Sequence, residues 1–414
     1  QAKRQPDRQN IPEPLTRMKK KTQKRKATSK QKKSRTVPVF VHIKVVGIGG
    51  GGGNAVTRMS EDFIRGVEFV AINTDTQDLE YCEAKQKINI GRSLTKGMGT
   101  GMNPDLGRQA AEENRSDIAE ALQNTDLVFL TAGMGGGTGT GATPVVAEIA
   151  REMGILTVAI VTKPFAFEGS QRIRIAEEGI AKLKDKVDSL IVIPNDRVFS
   201  IIGNDTSITK AFIKIDEILR NTVRGISEIV SIPGIVNVDF ADVKMIMGSG
   251  GLAFVGVGQA AGNDRAIKAA TQAINSPLLE FSIDDAKGVL FGVSGGADLK
   301  MAEINEAAKL VTENVDSGAK IIFGAYHDRK VKQGQLKIIL IATGFNGLVS
   351  RERETFSLFS PLREEPMMKV SDPKKPEKEI SEEKTGEEKS EIGKAAKADE
   401  EIWDIPTFLR KKRK

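Results

Sequence analysis

Two glycine-rich stretches are the part of this sequence best suited to chemistry. The first is GIGGGGGNAV, residues 47–56, and the second is GGGTGTGA, residues 135–142. Because glycine lacks a Cβ, backbone N–H groups in such a loop can turn towards an anion and approach it closely. A helix that begins at the loop adds the positive end of its dipole, and Thr138 and Thr140 add hydroxyl donors. One such loop suits a pyrophosphate, and two predict a nucleoside triphosphate held from both sides.

The first stretch on its own also matches a dinucleotide-binding fingerprint. Gly47, Gly49 and Gly52 form a G-x-G-x-x-G, and Asp75 stands where the fingerprint carries its ribose-binding acid. This alternative would make the protein an oxidoreductase, and a tight turn without a ligand is a further alternative for either stretch. A G-x-x-x-x-G-K-[ST] stretch does not occur, so an ordinary P-loop is excluded.

The elements around these stretches follow the pattern of an α/β protein. Continuous apolar runs alternate with stretches of helical period from residue 37 to residue 196. Such an alternation favours a parallel sheet with helices on both faces. We expect strands over residues 37–49, 67–75, 126–133, 155–165 and 189–196, and helices over residues 55–64, 105–123, 143–153 and 170–186.

A long helix follows and divides the predicted fold. Apolar residues recur at helical spacing from Ile208 to about Ile232, and Pro233 with Gly234 ends the pattern. Beyond it we expect an α+β unit with strands near residues 252–260, 288–296, 319–327 and 336–345. The predicted organisation is a disordered basic tail (1–36), a nucleotide-binding domain (37–207), a central helix with its connection (208–235), a second α+β domain (236–350), a flexible linker (351–400) and a terminal peptide (401–414).

Composition excludes several classes of protein. Cys82 is the only cysteine, and the two histidines, His42 and His327, lie far apart, which excludes an intrachain disulfide and disfavours a Cys/His metal site. No apolar run reaches the roughly 20 residues that a membrane helix needs, and the first residues contain no apolar core of a signal peptide. We therefore expect a soluble, cytoplasmic protein.

The charge is unevenly distributed along the chain. The net charge is +7, but residues 1–36 alone hold 14 Lys and Arg against two Asp and Glu. A segment with so little to bury is predicted to be disordered. It is either a solvated tail or a weak polybasic contact to an anionic membrane or to nucleic acid. No aromatic residues stand among its charges to stack on bases, so no specific nucleic-acid partner is predicted.

Several segments resemble the tubulin superfamily and, within it, the FtsZ family of bacterial cell-division GTPases. GGGTGTG is the superfamily signature, and the other similar segments are GIGGGGGNAV, AINTDTQDL, LTKGMGTGMNPDLGRQAAEE, AGMGGGTGTGATPVVAEIA, VTKPFAFEG, VIPNDRVF and VNVDFADVKMIM. The resemblance covers about residues 38–348 and recurs at residues 401–410. It implies a tubulin-like fold with a Rossmann-like GTPase domain. It also implies a protein that polymerises head-to-tail into the cytokinetic ring at mid-cell.

The resemblance implies a pocket for GTP and GDP, with Mg²⁺ bound through the nucleotide and no side-chain ligand assigned. Asn195 would read the purine, Phe212 would lie against the base, and Asp216 would accept from the guanine N1–H and 2-amino groups, since a carboxylate only accepts. Core packing is an alternative for Phe212, and an exposed surface position is one for Asp216. Glu168 and Arg172 would contact the ribose and phosphates. The implied pocket consists of Gly50, Gly51, Asn54, Asn73, Gly101, Met102, Gly135, Gly136, Gly137, Thr138, Gly139, Thr140, Gly141, Glu168, Arg172, Asn195, Phe212 and Asp216.

The resemblance also implies that catalysis is completed by a neighbouring copy of the chain. Asn237, Asp239 and Asp242 lie in a loop that opens a helix after the long one. In a head-to-tail filament this loop would cap the nucleotide of the next subunit, and its acids would orient the attacking water. Helix capping is the alternative role for these acids. A scaffold that binds GTP but hydrolyses it poorly is the alternative function.

The end of the chain carries a short apolar cluster after a charged linker. DIPTFLR, residues 404–410, resembles the family's terminal peptide, which docks on membrane-bound adaptor proteins. Its contact residues would be Asp404, Ile405, Pro406, Phe408 and Leu409. Membrane contact would then be mainly indirect.

Three features depart from the family pattern. They are the long basic tail, the segment 324–335 with His327, Arg329 and Lys330 in place of an acidic turn, and Met98 and Met102 beside the phosphates.

Overall fold

The computed structural model describes residues 41–61, 66–198, 206–232, 234–248, 251–276, 283–328 and 331–345. The predicted basic tail, linker and terminal peptide lie outside these residues, as do Pro233, Arg329 and Lys330. The five predicted adaptor contacts also lie outside them: Asp404, Ile405, Pro406, Phe408 and Leu409.

The described strands form one ten-stranded sheet. Its order is β3-β2-β1-β4-β5-β6-β7-β10-β8-β9. The pairs from β3 to β7 are parallel, β10 runs antiparallel to both β7 and β8, and β8 is parallel to β9. The strands are β1 Ile43–Ile48, β2 Val67–Asn73, β3 Gln86–Asn89, β4 Leu127–Gly133, β5 Leu156–Lys163, β6 Ser189–Pro194, β7 Gly251–Ala261, β8 Gly288–Gly295, β9 Lys320–His327 and β10 Gln335–Thr343.

Helices connect the strands. None of the described helices is long and apolar enough to cross a membrane. The helices are α1 Gly49–Ser60, α2 Thr76–Tyr81, α3 Arg92–Thr95, α4 Pro104–Glu113, α5 Arg115–Ala121, α6 Thr138–Glu152, α7 Ser170–Lys184, α8 Asn195–Val198, α9 Ile208–Ser231, α10 Phe240–Met247, α11 Arg265–Ile274 and α12 Met301–Glu313, with 3₁₀ turns at Ala166–Glu168 and Ile283–Asp285.

The core is layered on both faces of the sheet. Val45 of β1 and Phe129 of β4 pack on one face, and their neighbours Val46 and Leu130 pack on the other. Burial on both faces explains why these strands are continuous apolar runs, as the α/β prediction required. The α/β fold with a parallel sheet is therefore confirmed.

Helix α9 is the predicted long helix, and it extends over 24 residues. Its buried side chains belong to the same apolar layer as residues of β1 and β10. Gly225 brings the helix close to β10, because a Cβ there would stand 2.2 Å from the Cδ1 of Ile339. The helix thus packs in an apolar layer that also includes an early and a late strand of the described chain, while the predicted domain boundaries at 207 and 236 stay a prediction.

One predicted helix was wrong. Residues 105–123 form two helices, α4 and α5, and the break lies at Asn114, whose φ is −109° and ψ is 29°. The Asn114 side chain accepts a hydrogen bond from Gly91 N at 2.9 Å and donates one to Asp117 at 2.7 Å. Asparagine favours such a break because its side chain bonds locally in place of the helix backbone.

Candidate functional site

A cleft of about 550 Å³ lies at the carboxyl ends of β1 and β4. The strand order reverses between these two strands, which is the point where open α/β sheets bind ligands. The starts of α1 and α6, the segment after β5 and one side of α9 form its walls. The cleft therefore joins both glycine-rich stretches to the long helix.

The first glycine-rich stretch forms the beginning of α1. The helix begins at Gly49, not at residue 55 as predicted, and no side-chain hydrogen bond caps it within the described residues. Glycine is required here by close packing, because a Cβ on Gly52 would stand 2.4 Å from the carbonyl oxygen of Thr131. Gly50 and Gly51 line the cleft, so the free N–H groups of the first turn are available to an anion.

The second stretch forms the beginning of α6 in the same way. The helix begins at Thr138, whereas we predicted residue 143, and the described part of the chain offers it no side-chain cap. Residue 141 must be a glycine because α4 packs closely against α6 there. A Cβ on Gly141 would stand 1.9 Å from the carbonyl oxygen of Pro104. Gly136, Gly137, Thr138 and Gly139 line the cleft.

The hydroxyl groups of this stretch have different roles. Thr138 Oγ1 lies 2.7 Å from Thr74 Oγ1 and 3.2 Å from Thr100 Oγ1, so it links α6 to two loops. Thr140 Oγ1 accepts a hydrogen bond from Gly135 N at 2.9 Å, and Thr140 is absent from the cleft wall. The Thr140 hydroxyl thus holds the turn at Gly135, and its predicted donation towards the phosphates stays a prediction.

Most of the predicted pocket residues meet in the cleft. The residues that line it are Gly50, Gly51, Asn54, Gly136, Gly137, Thr138, Gly139, Glu168, Arg172, Asn195, Phe212 and Asp216. Asn73 borders a small adjoining space together with Gly50 and Asn54. Gly101 and Met102 lie in the loop before α4, both at positive φ, and Gly135, Thr140 and Gly141 pack behind the wall.

Two side chains of α9 form one end of the cleft. Phe212 is 42% exposed, and its ring meets Phe165 edge-on with centroids 5.5 Å apart. Asp216 forms an ion pair with Arg58 of α1, and its side chain is 13% exposed. Phe212 is thus a cleft residue and not a core residue, and Asp216 is not the exposed surface carboxylate of the alternative.

Three further polar side chains line the cleft. Asn195 is buried, and its Oδ1 atom has no hydrogen-bond partner among the described residues. Such an atom is costly to leave unpaired, so a ligand in the cleft would satisfy it. Glu168 and Arg172 form an ion pair at 2.8 Å, and Glu168 also accepts from Phe165 N.

The predicted catalytic residues lie outside the cleft of their own chain. Asp239 caps α10 by accepting from Ala241 N at 3.1 Å, and Asn237 Oδ1 accepts from Gly234 N at 2.6 Å. Asp242 lies in the first turn of α10, and its carboxylate has no partner within the described ranges. Capping is therefore a real role of Asp239, whereas Asp242 is free to act on something else.

The loop that carries these acids is held on β9. Ile235 N donates to the carbonyl oxygen of Ala325 at 2.7 Å, and Val236 forms a bridge with the same residue. The loop is thus fixed before a partner arrives.

Sequence reasoning missed several residues of the cleft. Arg58 follows Asn54 by one helical turn on α1, and this spacing could have identified it. Other missed residues stand in strands, in connections or at the start of α9, and they include Thr100, Thr131, Thr162, Pro164 and Thr209. Their types alone carry no signal of a site.

Two protein-family models match this chain. The model of the tubulin/FtsZ family GTPase domain matches residues 42–203, and that of the FtsZ family C-terminal domain matches residues 251–346. An empty FtsZ dimer from M. jannaschii is 45% identical, with 74% of this chain and 89% of that chain covered and a TM-score of 0.71.

Two more distant structures share the fold. A GTPγS-bound protofilament of CetZ2 from Haloferax volcanii is 22% identical, covers 73% of this chain and 93% of its own, and has a TM-score of 0.64. A GDP-bound monomer of CetZ1 from the same organism is 22% identical, covers 76% and 97%, and has a TM-score of 0.65.

Proposed function

Since this chain belongs to the tubulin/FtsZ family of polymerising GTPases, we propose that it hydrolyses GTP where two copies meet head-to-tail. The observation that carries this proposal is that, within one chain, the cleft and the unpartnered carboxylate of Asp242 lie apart. The cleft holds the anion-binding helix starts, and the two carboxylates that line it, Glu168 and Asp216, are both paired with arginines. The unpartnered Asp242 lies elsewhere, so a second copy would have to supply it.

The cleft residues suit GTP. The phosphates would accept from the free N–H groups at the starts of α1 and α6. The base would lie against Phe212, and Asp216 would exchange Arg58 for the N1–H and 2-amino group of guanine. Adenine offers no such pair of donors, which favours GTP over ATP.

Magnesium would come with the nucleotide. Within the described part of the chain, no three His, Cys, Asp or Glu residues are grouped so that they could hold a metal ion. The phosphates would therefore be its main ligands. When bound, Mg²⁺ neutralises charge on the β- and γ-phosphates.

Hydrolysis would need the loop of the next copy. Asp242, together with Asp239, would orient the attacking water and accept its hydrogen bond, while Asn237 keeps the loop in shape through Gly234. A head-to-tail contact joins two different faces and does not close on itself, so it generates a filament. The M. jannaschii FtsZ structure is a dimer, which supports self-association.

The cellular role that we propose is cell division. The filament would form the cytokinetic ring in the cytoplasm at mid-cell. Residues 401–414 would attach it to membrane-bound adaptor proteins through Asp404, Ile405, Pro406, Phe408 and Leu409. A weak contact of the basic residues 1–36 with an anionic membrane would add to this attachment.

A titration of protein concentration tests the proposal. Phosphate release from GTP per chain should be almost nil at high dilution and should rise steeply above a threshold concentration, because the site is completed by a second copy. GTP binding without any hydrolysis at high concentration would instead favour the scaffold.

Thermal unfolding tests the oxidoreductase alternative. Only a ligand of the folded state raises the melting temperature, and we expect GTP but not NAD to do so. In the structure one oxygen of the Asp75 carboxylate, Oδ1, accepts from Gln77 N and Asp78 N as the cap of α2.

A further inference from the structure

A carboxylate of α2 stands beside the glycine-rich start of α1. Asp78 Oδ2 would be only 2.7 Å from a Cβ placed on Gly50, so it occupies the space that this glycine leaves free. Asp78 borders the small space that adjoins the cleft, and three residues of that space, Gly49, Gly50 and Asn54, also line the cleft itself. The carboxylate is therefore next to a predicted phosphate-binding turn.

The two acids of this region differ in how their charge is compensated. Asp75 accepts hydrogen bonds from two backbone N–H groups as the cap of α2. The carboxylate of Asp78 has no hydrogen bond or ion pair with any residue that the structure describes, and Asp78 is exposed. Its charge is therefore compensated by little besides solvent and the positive start of α1.

The cleft has little spare positive charge to offset it. Arg58 and Arg172 are the two cationic residues on the described cleft wall, and each is already paired, with Asp216 and Glu168 respectively. Nucleotide phosphates would thus meet mainly backbone N–H groups and, beside them, an uncompensated carboxylate. The repulsion between two like charges that lie close together near a protein surface is large enough to change a binding affinity measurably.

We propose that Asp78 is a determinant of nucleotide affinity that makes binding depend on the divalent cation. Its carboxylate competes with the phosphates for the positive start of α1, and a cation on the phosphates relieves the repulsion. The proposal rests on the proposed function, since it requires that GTP phosphates occupy this end of the cleft. Asp78 is a positioning charge in this account and takes no part in bond breaking.

The test compares Asp78→Asn with the wild type in GTP binding by isothermal titration. Protein is kept below its assembly threshold, and each titration is run with EDTA and with Mg²⁺. In EDTA the variant should bind GTP about three- to tenfold more tightly than the wild type, and in Mg²⁺ the gain should fall to about twofold or less. Raising the salt from about 50 mM to about 500 mM should reduce the gain in EDTA, because screening shortens the reach of the charge.

Glu80→Gln is the matched control. It removes one exposed carboxylate from the same helix but from a residue that borders neither the cleft nor the adjoining space. It should leave both affinities nearly unchanged.

Each other outcome contradicts a definite claim. Equal affinities of Asp78→Asn and the wild type in EDTA would overturn the proposal, and so would a gain that Glu80→Gln matches or that salt leaves unchanged. Failure of the wild type to bind GTP in Mg²⁺ would overturn the proposed function itself.

Discussion

Asp216 of α9 and Arg58 of α1 form an ion pair inside the cleft, 158 positions apart in the chain. The pair places a carboxylate, which can only accept hydrogen bonds, beside the exposed ring of Phe212. It also joins the last turn of α1, the helix whose first turn would hold phosphates, to the helix that would hold the base. The prediction for Asp216→Asn and the closing complementation test both depend on this arrangement.

Asp216→Asn should weaken GTP binding at least tenfold, because the amide replaces one acceptor by a donor that faces a guanine N–H. The preference for GTP over inosine triphosphate, which lacks the 2-amino group, should shrink as well. Competition binding measures both. Glu217→Gln is the control, since Glu217 pairs with Lys214 and does not line the cleft. An unchanged preference in Asp216→Asn would mean that Asp216 does not contact the base.

Glu303→Gln should lower the free energy of unfolding by about 2 kcal/mol at pH 7, because the buried Arg265 loses the carboxylate to which it donates two hydrogen bonds. Arg265 Nε and Nη2 donate to the two Glu303 oxygens at 2.7 and 2.9 Å. Glu313→Gln on the same helix breaks only an exposed pair with Lys309 and should cost less than about 0.5 kcal/mol. Denaturation of the two variants measures the difference.

The effect of Glu303→Gln should depend on pH. The hydrogen bond from Arg265 holds the pKa of Glu303 below its ordinary value of 4.5. A lowered carboxyl pKa stabilises the fold above that ordinary value, and the stabilisation is lost as the pH falls through the lower, folded-state pKa. The gap between wild type and Glu303→Gln should therefore narrow below pH 4.5. A gap that stays constant down to acid unfolding would contradict the ion-pair account.

Removing residues 401–414 should leave GTP hydrolysis and assembly nearly unchanged but abolish the proposed mid-cell ring, followed with a fluorescent fusion. Phe408→Ala should do most of the same damage, since one buried aromatic can dominate a small interface. Fluorescence microscopy of dividing cells, with phosphate release measured in parallel, checks both. A normal ring without residues 401–414 would direct attention to the basic residues 17–35 as the membrane contact.

Much of the fold could be predicted because a parallel strand that is buried on both faces appears in the sequence as a continuous apolar run. Every residue of β4 except Gly133 is buried, and the run LVFLTA predicts a strand even when its neighbouring strands are not known. Strand β3 was missed because Gln86–Asn89 is short and mostly polar. The starts of α1 and α6 were placed too late because glycine disfavours helices, and only packing against Thr131 and Pro104 outweighs that tendency.

The site could be predicted only where a motif carries it. The glycine stretches were identified from their residue types and the segment around Asn195 from a family resemblance, and most of these residues meet in the cleft. The pairing of Arg58 with Asp216 depends on how α1 packs against α9, which no local pattern contains. The same holds for the hydrogen bond that the Thr140 hydroxyl accepts from Gly135 N.

A variant of the acidic loop should separate GTP binding from GTP hydrolysis. Asp242→Ala should retain GTP affinity and still form filaments, but hydrolyse GTP very slowly, because Asp242 lies outside its own cleft and has no partner in the described structure. Mixed into wild-type protein, it should slow turnover in proportion to the mixed contacts. Nucleotide binding and phosphate release measure the two properties separately. A loss of GTP affinity would place Asp242 in the pocket of its own chain.

Complementation between two inactive variants tests the shared site most directly. Asp242→Ala keeps an intact cleft, and Asp216→Ala keeps an intact acidic loop, so a contact between the cleft of the first and the loop of the second restores a complete site. At a GTP concentration too low to fill the Asp216→Ala cleft, each variant alone should release almost no phosphate, and an equal mixture should release it at a clear fraction of the wild-type rate. A mixture no faster than the sum of its two components would contradict hydrolysis between copies.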